Sequence, residues 1–287
     1  MERIEEAAPA KINLDLCITG RRLDGYHELD SLVVFGPPAD RLILEPADRL
    51  DLRLAGPFAG ALAEVPDNLV LRAARRVAAR AGRPAGARIT LEKNLPVAAG
   101  LGGGSGDAAA TLRGLNRLWR LGLGTRELEP LARELGADVP VCLGGRAARM
   151  RGIGERLEAA PGLPPIPLLL VNPGRPLPTA AVFGALGPLP PPVPNLGPPP
   201  SEHAALVRWL RARANHLEAP ACRLEPAIGA VLATLAAEPG CELARMSGSG
   251  ATCFGLFADP AALATAAARL RRARPGWWLA PSLVAPS

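Results

Sequence analysis

Hydrophobic and polar positions follow two different periods along the chain, which predicts a mixture of strands and helices. From Ala10 to Ile18 the run AKINLDLCI alternates and is rich in branched residues, as in a strand, and the following GRRLDGYHE predicts a loop or hairpin. Further strands are predicted at Leu32–Phe35, Leu42–Leu44, Leu50–Leu54, Arg88–Leu91, Leu168–Val171, Leu243–Met246, Thr252–Phe257 and Trp277–Leu279.

Helical spacing of apolar residues marks the segments between these strands. Asn68–Ala81 has this spacing, with Asp67 or Asn68 available as the capping residue, and Ser105–Trp119 buries one face. Further helices are predicted at Glu127–Leu135, Glu202–Ala212, Ile228–Glu238 and Ala261–Arg271. The order of elements indicates an α+β fold, and the proline-rich tract from Gly187 to Pro200 indicates an exposed loop or linker.

Length and composition indicate a folded protein with room for a large core. The chain has 287 residues, 48% hydrophobic and 21% charged, which allows one or two domains and favours two. Neither an apolar signal core at the N-terminus nor a stretch of about twenty apolar residues is present, so we expect a cytoplasmic protein without a membrane partner.

Charge and cysteine usage exclude several classes of function. The formal charge of +6 comes almost entirely from dispersed arginines, without the interleaved aromatic residues that stack on bases, so nucleic acid is not the expected partner. The five cysteines show no CxxC spacing, which argues against a disulfide framework and a zinc site. Lys11 and Lys93 are the only lysines, which suggests positions that need a compact ammonium group.

A glycine-rich loop at residues 96–106 is the strongest chemical signal. It has five glycines in eleven residues, so that successive backbone N–H groups can turn toward an anion, and it leads into a predicted helix N-terminus. No Lys-Ser or Lys-Thr follows, so it is not a Walker A motif. The predicted phosphate-binding residues are Pro96, Val97, Ala98, Ala99, Gly100, Leu101, Gly102, Gly103, Gly104, Ser105 and Gly106.

This loop and three other segments resemble the signatures of the GHMP kinase superfamily. The stretch PVAAGLGGGSGDAAATLRGLN is similar to the family's second signature, and MSGSGATCFGLF at Met246–Phe257 is similar to the third. PAKINLDLCITGRRLDGYHEL near the N-terminus and GADVP at Gly136–Pro140 complete the match in the expected order. The triple glycine resembles the branch whose acceptor is a cytidine-diphosphate-linked methylerythritol.

The resemblance implies a small-molecule kinase of the non-mevalonate isoprenoid route that uses ATP and Mg²⁺, the metal being carried by the nucleotide. It also implies a GHMP kinase fold of two domains, residues 1–153 for the ATP-binding domain and 154–287 for the C-terminal domain, with the active site in the cleft between them. Oligomeric state is not indicated, and no metal-ligating residue is assigned.

Site residues carried over from the family motifs are of two kinds. Asp138 would be the base that accepts the proton of the acceptor hydroxyl, and Lys11 would stabilise Asp138 and the developing charge. Tyr26 and Phe183 would sandwich the cytosine ring while His27 reads its edge. Asn13 and Thr179 would contact the sugar or diphosphate of the same substrate.

Two positions depart from the family pattern and leave alternatives open. Gly106 stands where relatives commonly have a second serine, and His216 replaces an acid in the usual Asn-Asp-Leu-Glu motif. One alternative is a GHMP kinase with another acceptor, such as homoserine, mevalonate or a sugar. The other is a nucleotide-binding protein without turnover, which the presence of Lys11 and Asp138 argues against.

Overall fold

The computed structural model describes residues 3–62, 68–191 and 196–285, which form α-helices and β-strands in the mixed order predicted for an α+β protein. They fall into two compact units that interleave along the chain. The first comprises Met1–Ala10, Pro38–Val97 and Gly102–Gly145, and the second comprises Lys11–Pro37, Ala98–Leu101 and Arg146–Ser287. The predicted domain boundary between residues 153 and 154 stays a prediction.

The described strands and helices have the following bounds. The strands are β1 Ile4–Asn13, β2 Cys17–Arg21, β3 His27–Pro46, β4 Asp51–Ala55, β5 Ala87–Glu92, β6 Ala148–Gly152, β7 Arg156–Ala159, β8 Ile166–Asn172, β9 Cys241–Met246, β10 Cys253–Phe257 and β11 Trp278–Val284. The α-helices are α1 Leu69–Arg80, α2 Gly103–Leu118, α3 Thr125–Leu135, α4 Val139–Gly144, α5 Thr179–Gly184, α6 His203–Arg211, α7 Glu218–Leu224, α8 Ala227–Ala236 and α9 Pro260–Ala273.

In the first unit, helices α1 to α4 pack together beside strands β4, β5 and the end of β3. Strand β5 pairs parallel to β4 and antiparallel to β3, with Leu42 opposite Leu91 and Leu44 opposite Ile89. All four of these leucine and isoleucine side chains are fully buried. Helix α1 begins as the sequence predicts, because Asn68 Oδ1 accepts a hydrogen bond from Val70 N at 2.9 Å. Asp67, the other predicted capping residue, lies outside the described residues.

The second unit contains two groups of paired strands. The beginning of β3 pairs with β2 and β6, and β6 pairs with β7, all antiparallel. The other group is a four-stranded antiparallel sheet in the order β11-β8-β10-β9, against which α8 and α9 pack. Leu169, Val171 and Phe257 are fully buried between this sheet and the helices.

The prediction of two short strands at Leu32–Phe35 and Leu42–Leu44 was wrong, since both belong to the single 20-residue strand β3. Gly36-Pro37-Pro38 lies between the two predicted strands, and proline cannot donate to a strand ladder. A Cβ at Gly36 would lie 2.8 Å from Ser282 Oγ, so this glycine marks close approach of another segment and not a turn.

Within the described residues, no helix is both long and apolar enough to cross a membrane.

Candidate active site

The middle of the glycine loop, Ala98–Leu101, is fixed through its carbonyl oxygens. Each of the four carbonyls accepts a hydrogen bond from another segment of the second unit, to which this stretch belongs. The pairs are Ala98 O with Leu177 N at 3.4 Å, Ala99 O with Thr252 N at 3.1 Å, Gly100 O with Ser247 Oγ at 2.9 Å and Leu101 O with Lys11 N at 2.9 Å. In a trans peptide the next N–H group points away from the carbonyl. Each following loop amide therefore points away from the donor that the preceding carbonyl binds.

Gly100 is where the loop approaches the turn after β9 most closely. Its φ of +73° lies in the left-handed region, and a Cβ there would stand 2.2 Å from Ser247 O and 2.8 Å from Gly250 N. Any side chain at position 100 would clash with backbone atoms, which could move only if the turn itself shifted. Glycine at this position therefore allows the second and third GHMP-like segments to pack directly against each other.

The end of the glycine loop forms the N-terminus of α2. Gly102 adopts the left-handed conformation, with φ of 63°, and Gly106 N donates to Gly102 O at 2.8 Å as the first helical bond. The helix begins at Gly103, two residues before the predicted start at Ser105, because the glycines themselves take up helical backbone angles. The first N–H groups of this 16-residue helix have no intrahelical acceptor, and its dipole favours an anion.

Asn13 connects the N-terminal signature to the third one. Its backbone N–H donates to Ser247 Oγ at 3.1 Å, and its Nδ2 donates to Ser31 Oγ at 2.8 Å. The side-chain Oδ1 is buried and accepts no hydrogen bond from the described residues. A buried amide oxygen without a donor is costly, so this atom is suited to a polar ligand group.

The Asn215-His216-Leu217-Glu218 segment holds the third signature in place. Asn215 Nδ2 donates to Met246 O and Gly248 O, each at 2.8 Å, and Glu218 Oε2 accepts from Met246 N at 2.8 Å. His216 Nδ1 accepts a hydrogen bond from Ile18 N at 2.9 Å. A carboxylate at this position could also accept this bond, so histidine can replace the acid of the usual motif here. Sequence reasoning noted this motif but missed its supporting role, which only the hydrogen bonds reveal.

The predicted base-binding residues lie in the second unit. The rings of His27 and Phe183 stack with centroids 5.4 Å apart and an interplanar angle of 27°. Tyr26 is 62% exposed. Thr179 lies on the same short helix, α5, as Phe183, and its hydroxyl is 2.8 Å from Ser249 Oγ. Burial, together with the charge of Arg21, lowers the pKa of His27, so the ring is neutral at pH 7.

The two residues predicted to act on the reacting groups lie in different units. Lys11 is 4% exposed in the second unit, near the end of β1. Asp138 is the half-buried residue that precedes α4 in the first unit, and its carbonyl oxygen accepts from Cys142 N. The roles assigned to both side chains stay predictions. No group of three or more His, Cys, Asp or Glu side chains suited to a metal occurs in residues 3–62, 68–191 and 196–285.

Comparison with known families matches both parts of the chain. Residues 68–146 match the model of the GHMP kinases N terminal domain, and residues 202–275 match that of the GHMP kinases C terminal domain. The first range contains the glycine loop and Asp138, and the second contains the Ser247–Gly250 turn.

Curated relatives are similar over nearly the whole length. A 4-diphosphocytidyl-2-C-methyl-D-erythritol kinase of Rhodospirillum rubrum is 55% identical over 96% of this chain and 91% of the relative. Another of the same name, from Cereibacter sphaeroides, is 54% identical over 98% of this chain and 99% of the relative.

Solved structures agree with these relatives. A crystal structure of 4-(cytidine 5'-diphospho)-2C-methyl-D-erythritol kinase matches with a TM-score of 0.81 and 41% identity, covering 98% of this chain and 99% of the other. A homoserine kinase from Cytophaga hutchinsonii has a TM-score of 0.73 at 19% identity, which shows a common fold alone. The protein is an ATP-using small-molecule kinase with an α+β fold. The chain belongs to the GHMP kinase family, in the branch of the 4-diphosphocytidyl-2-C-methyl-D-erythritol kinases.

Proposed function

We propose that the protein transfers the γ-phosphoryl group of ATP to the 2-hydroxyl of 4-diphosphocytidyl-2-C-methyl-D-erythritol, a step of non-mevalonate isoprenoid precursor synthesis. The observation that carries the proposal is the identity of 55% to a kinase of that name, over 96% of this chain. The substrates are small water-soluble metabolites, and we propose a cytoplasmic location without a nucleic-acid or membrane partner.

The stacked aromatic pair supports a cytidine acceptor. Phe183 stacks on His27, and its ring would pack against one face of the base while the exposed Tyr26 would cover the opposite face. The neutral imidazole of His27 has one donor and one acceptor nitrogen, which suits the edge of cytosine. The unsatisfied Asn13 Oδ1 and the hydroxyl of Thr179 would contact the sugar or diphosphate side.

The glycine loop, residues 96–106, is proposed to hold the ATP phosphates. Its backbone amides and the N-terminus of α2 would provide N–H donors and a favourable dipole for phosphate oxygens. Mg²⁺ would arrive with the nucleotide, held by phosphate oxygens and water, since magnesium keeps several waters and binds readily through substrate phosphates. When bound, the metal would neutralise phosphate charge.

Asp138 and Lys11 are proposed to act on the acceptor hydroxyl. The carboxylate of Asp138 would accept the hydroxyl proton while the hydroxyl oxygen bonds to the γ-phosphorus and ADP leaves. Lys11 would hold Asp138 ionised and stabilise charge on the transferred group. General-base assistance of this kind contributes about 10²–10⁴-fold in rate.

The Asp138→Asn variant tests this assignment. We expect kcat to fall by about 10²–10⁴-fold with the dissociation constant for ATP nearly unchanged, because the base acts on the acceptor and not on the nucleotide. Asp51→Asn is the matched control, an exposed carboxylate of the same unit that pairs with Arg53 and Arg88. Full turnover by Asp138→Asn would remove Asp138 from the reaction.

Phosphorus NMR of the product tests whether an alcohol group or the diphosphate accepts the phosphoryl group. The proposed reaction adds one phosphomonoester and leaves the cytidine diphosphate linkage intact. We therefore expect a new monoester resonance that appears in step with ADP, while the two acceptor diphosphate resonances persist. Release of cytidine monophosphate, or a lengthened phosphoanhydride chain, would contradict the proposed reaction.

A further inference from the structure

A buried group of three charged side chains, here called the Lys93 cluster, lies at the start of α2. It consists of Lys93, Asp40 and Asp107, whose side chains are 3%, 0% and 3% exposed. Lys93 Nζ donates to Asp107 Oδ2 at 2.7 Å and also donates to Asp40 Oδ2. All three residues belong to the first unit. Buried charges at this depth are tolerated only when they are paired.

The cluster joins the two ends of the glycine loop. Asp40 Oδ1 accepts from Asn94 N at 2.6 Å and from Leu95 N at 2.9 Å, the residues just before Pro96. Asp107 follows Gly106 directly and lies in α2. One ammonium group therefore connects the segment that enters the loop, residues 93–95, to the helix that leaves it.

The ammonium group also lies against the first helical residue of α2. A Cβ at Gly103 would lie 3.3 Å from Lys93 Nζ and 3.6 Å from Asp40 Oδ2. The glycine at this position thus permits close packing of the cluster against the first turn of α2, whose amides are proposed to bind phosphate. A shift of Lys93 would be transmitted to this turn.

Charge is not balanced within the cluster, because two carboxylates share one ammonium group. Asp107 Oδ1 is buried and has no hydrogen-bond partner among the described residues. Burial raises the pKa of Asp107 to about 7, against the lowering effect of Lys93, and the charge of Asp40 acts in the same direction as burial. Burial lowers the pKa of Lys93, but Asp107 and Asp40 more than offset this and keep it above its usual range.

Several charged groups of the neighbouring elements pair with other partners. On α2, Arg113 binds Glu6 of β1 with an Nε–Oε2 distance of 3.0 Å. Ion pairs also join α1 to α3: Arg76 to Glu134 and Arg80 to Glu127. Lys93 and Asp40 are the charged groups that influence the pKa of Asp107.

We propose that Lys93 and Asp107 are positioning residues that hold the two ends of the glycine loop in place for nucleotide phosphates, and that phosphate binding is coupled to uptake of one proton by the Lys93 cluster. The proton comes from solvent and attaches to an oxygen of Asp107. An anion at the N-terminus of α2 disfavours the extra carboxylate charge nearby, so binding favours the protonated form. The inference rests on the proposed assignment of the loop to the nucleotide phosphates.

Calorimetric titration of Asp107→Asn with ADP tests the proton coupling. Titrations at pH 7–8 in buffers of different ionisation enthalpy give the number of protons taken up on binding. We expect wild-type protein to take up a substantial fraction of a proton more than Asp107→Asn, whose amide keeps the oxygen that faces Lys93 but cannot titrate. Subtraction of the two values removes the contribution of the nucleotide's own phosphate groups.

The affinity for ADP should follow the same linkage. From pH 6 to pH 8.5 we expect wild-type affinity to weaken several-fold more than that of Asp107→Asn. Asp51→Asn, an exposed carboxylate of the same unit, should behave as the wild type does. Equal proton uptake by wild type and Asp107→Asn would overturn the inference, whereas absence of ADP binding by the wild type would overturn the proposed function as well.

Kinetics of Lys93→Met and of the double variant Lys93→Met/Asp107→Asn test the positioning role. We expect the KM for ATP to rise at least about tenfold in both variants, with the KM for the acceptor unchanged, because only the phosphate loop loses its support. The double variant leaves one buried carboxylate without the ammonium group instead of two, and that carboxylate, Asp40, still accepts from Asn94 N and Leu95 N, so folding is less impaired than in Lys93→Met. A folded double variant with the wild-type KM for ATP would contradict the positioning role.

Discussion

The hydroxyl of Ser247 donates a hydrogen bond to the carbonyl oxygen of Gly100, at 2.9 Å. Through this bond the turn after β9 supports the glycine loop, and both partners come from segments that sequence patterns single out as glycine-rich signatures. The same hydroxyl oxygen accepts from Asn13 N, so three signatures meet at one side chain. The Ser247 hydroxyl is therefore the structural connection among motifs that are more than 80 positions apart in the chain.

Gly100→Ala is expected to abolish measurable ATP turnover. Its Cβ would lie 2.2 Å from Ser247 O, and the φ of +73° disfavours any side chain, so the loop would have to move. The check is the KM and kcat for ATP together with the unfolding midpoint. Gly229→Ala, within α8 and with open space around the added methyl group, is the control and should retain activity and stability. Normal kinetics in Gly100→Ala would contradict the interlocked loop.

Phe183→Ala is expected to weaken acceptor binding selectively. Stacking of a base on an aromatic ring contributes about 1–3 kcal/mol, which corresponds to a rise of about 5- to 150-fold in the acceptor KM. The KM for ATP should not change. His27→Phe retains a ring next to Phe183 but loses both ring nitrogens, so it separates stacking from recognition of the base edge. If neither variant alters the acceptor KM, the cytosine site lies elsewhere.

His216→Asn is expected to make stability less sensitive to acid. Burial, with the charge of Arg213 adding to it, lowers the pKa of His216, and its Nδ1 must be unprotonated to accept from Ile18 N. The stability from this group is fully present above the unfolded-state pKa of about 6.5 and is lost as pH falls through the lower folded-state pKa. Urea unfolding from pH 5 to 7.5 measures this loss, and Asn should reduce the slope. An identical slope in both proteins would refute the assignment.

Gly106→Ser is expected to preserve folding and turnover. A Cβ at this position would lie 3.4 Å from Ala8 Cβ, an ordinary contact, and serine favours a helix more than glycine does by about 0.5 kcal/mol. Gly103→Ser is the matched comparison on the same helix, where the Cβ would press on Lys93 Nζ at 3.3 Å. Thermal unfolding and the KM for ATP should distinguish the two. Equal damage from both substitutions would show that the Lys93 contact is unimportant.

Local patterns predicted most helices and strands because each is encoded by neighbouring residues. Asn68 caps α1 as its side chain suggests. The glycine loop leads into α2 as expected, although the helix begins two residues before the predicted start. Strand β3 was predicted as two separate strands, whereas the single strand continues through Gly36, which Ser282 approaches closely. That contact joins positions 246 residues apart in the chain and leaves no local signal.

The candidate site was predictable only in part, for a similar reason. Motif resemblance placed Asn13, His27 and Phe183 in one site, and the structure brings the last two rings into contact. The scarcity of lysine drew attention to Lys93 but did not reveal its partners, because Asp40 lies 53 positions away. Burial and pairing of charges are properties of the folded chain, which single residue types do not show.

An ADP-release assay with purified protein, ATP, Mg²⁺ and a panel of acceptors tests the central claim most directly. The panel contains 4-diphosphocytidyl-2-C-methyl-D-erythritol, its uridine counterpart, homoserine, mevalonate and a hexose, with Asp138→Asn as the protein control. We predict kcat/KM for the cytidine acceptor at least about a hundredfold above that of every other acceptor, and loss of most of this activity in Asp138→Asn. Preference for homoserine, mevalonate or the hexose, or no ADP release with any acceptor, would contradict the account.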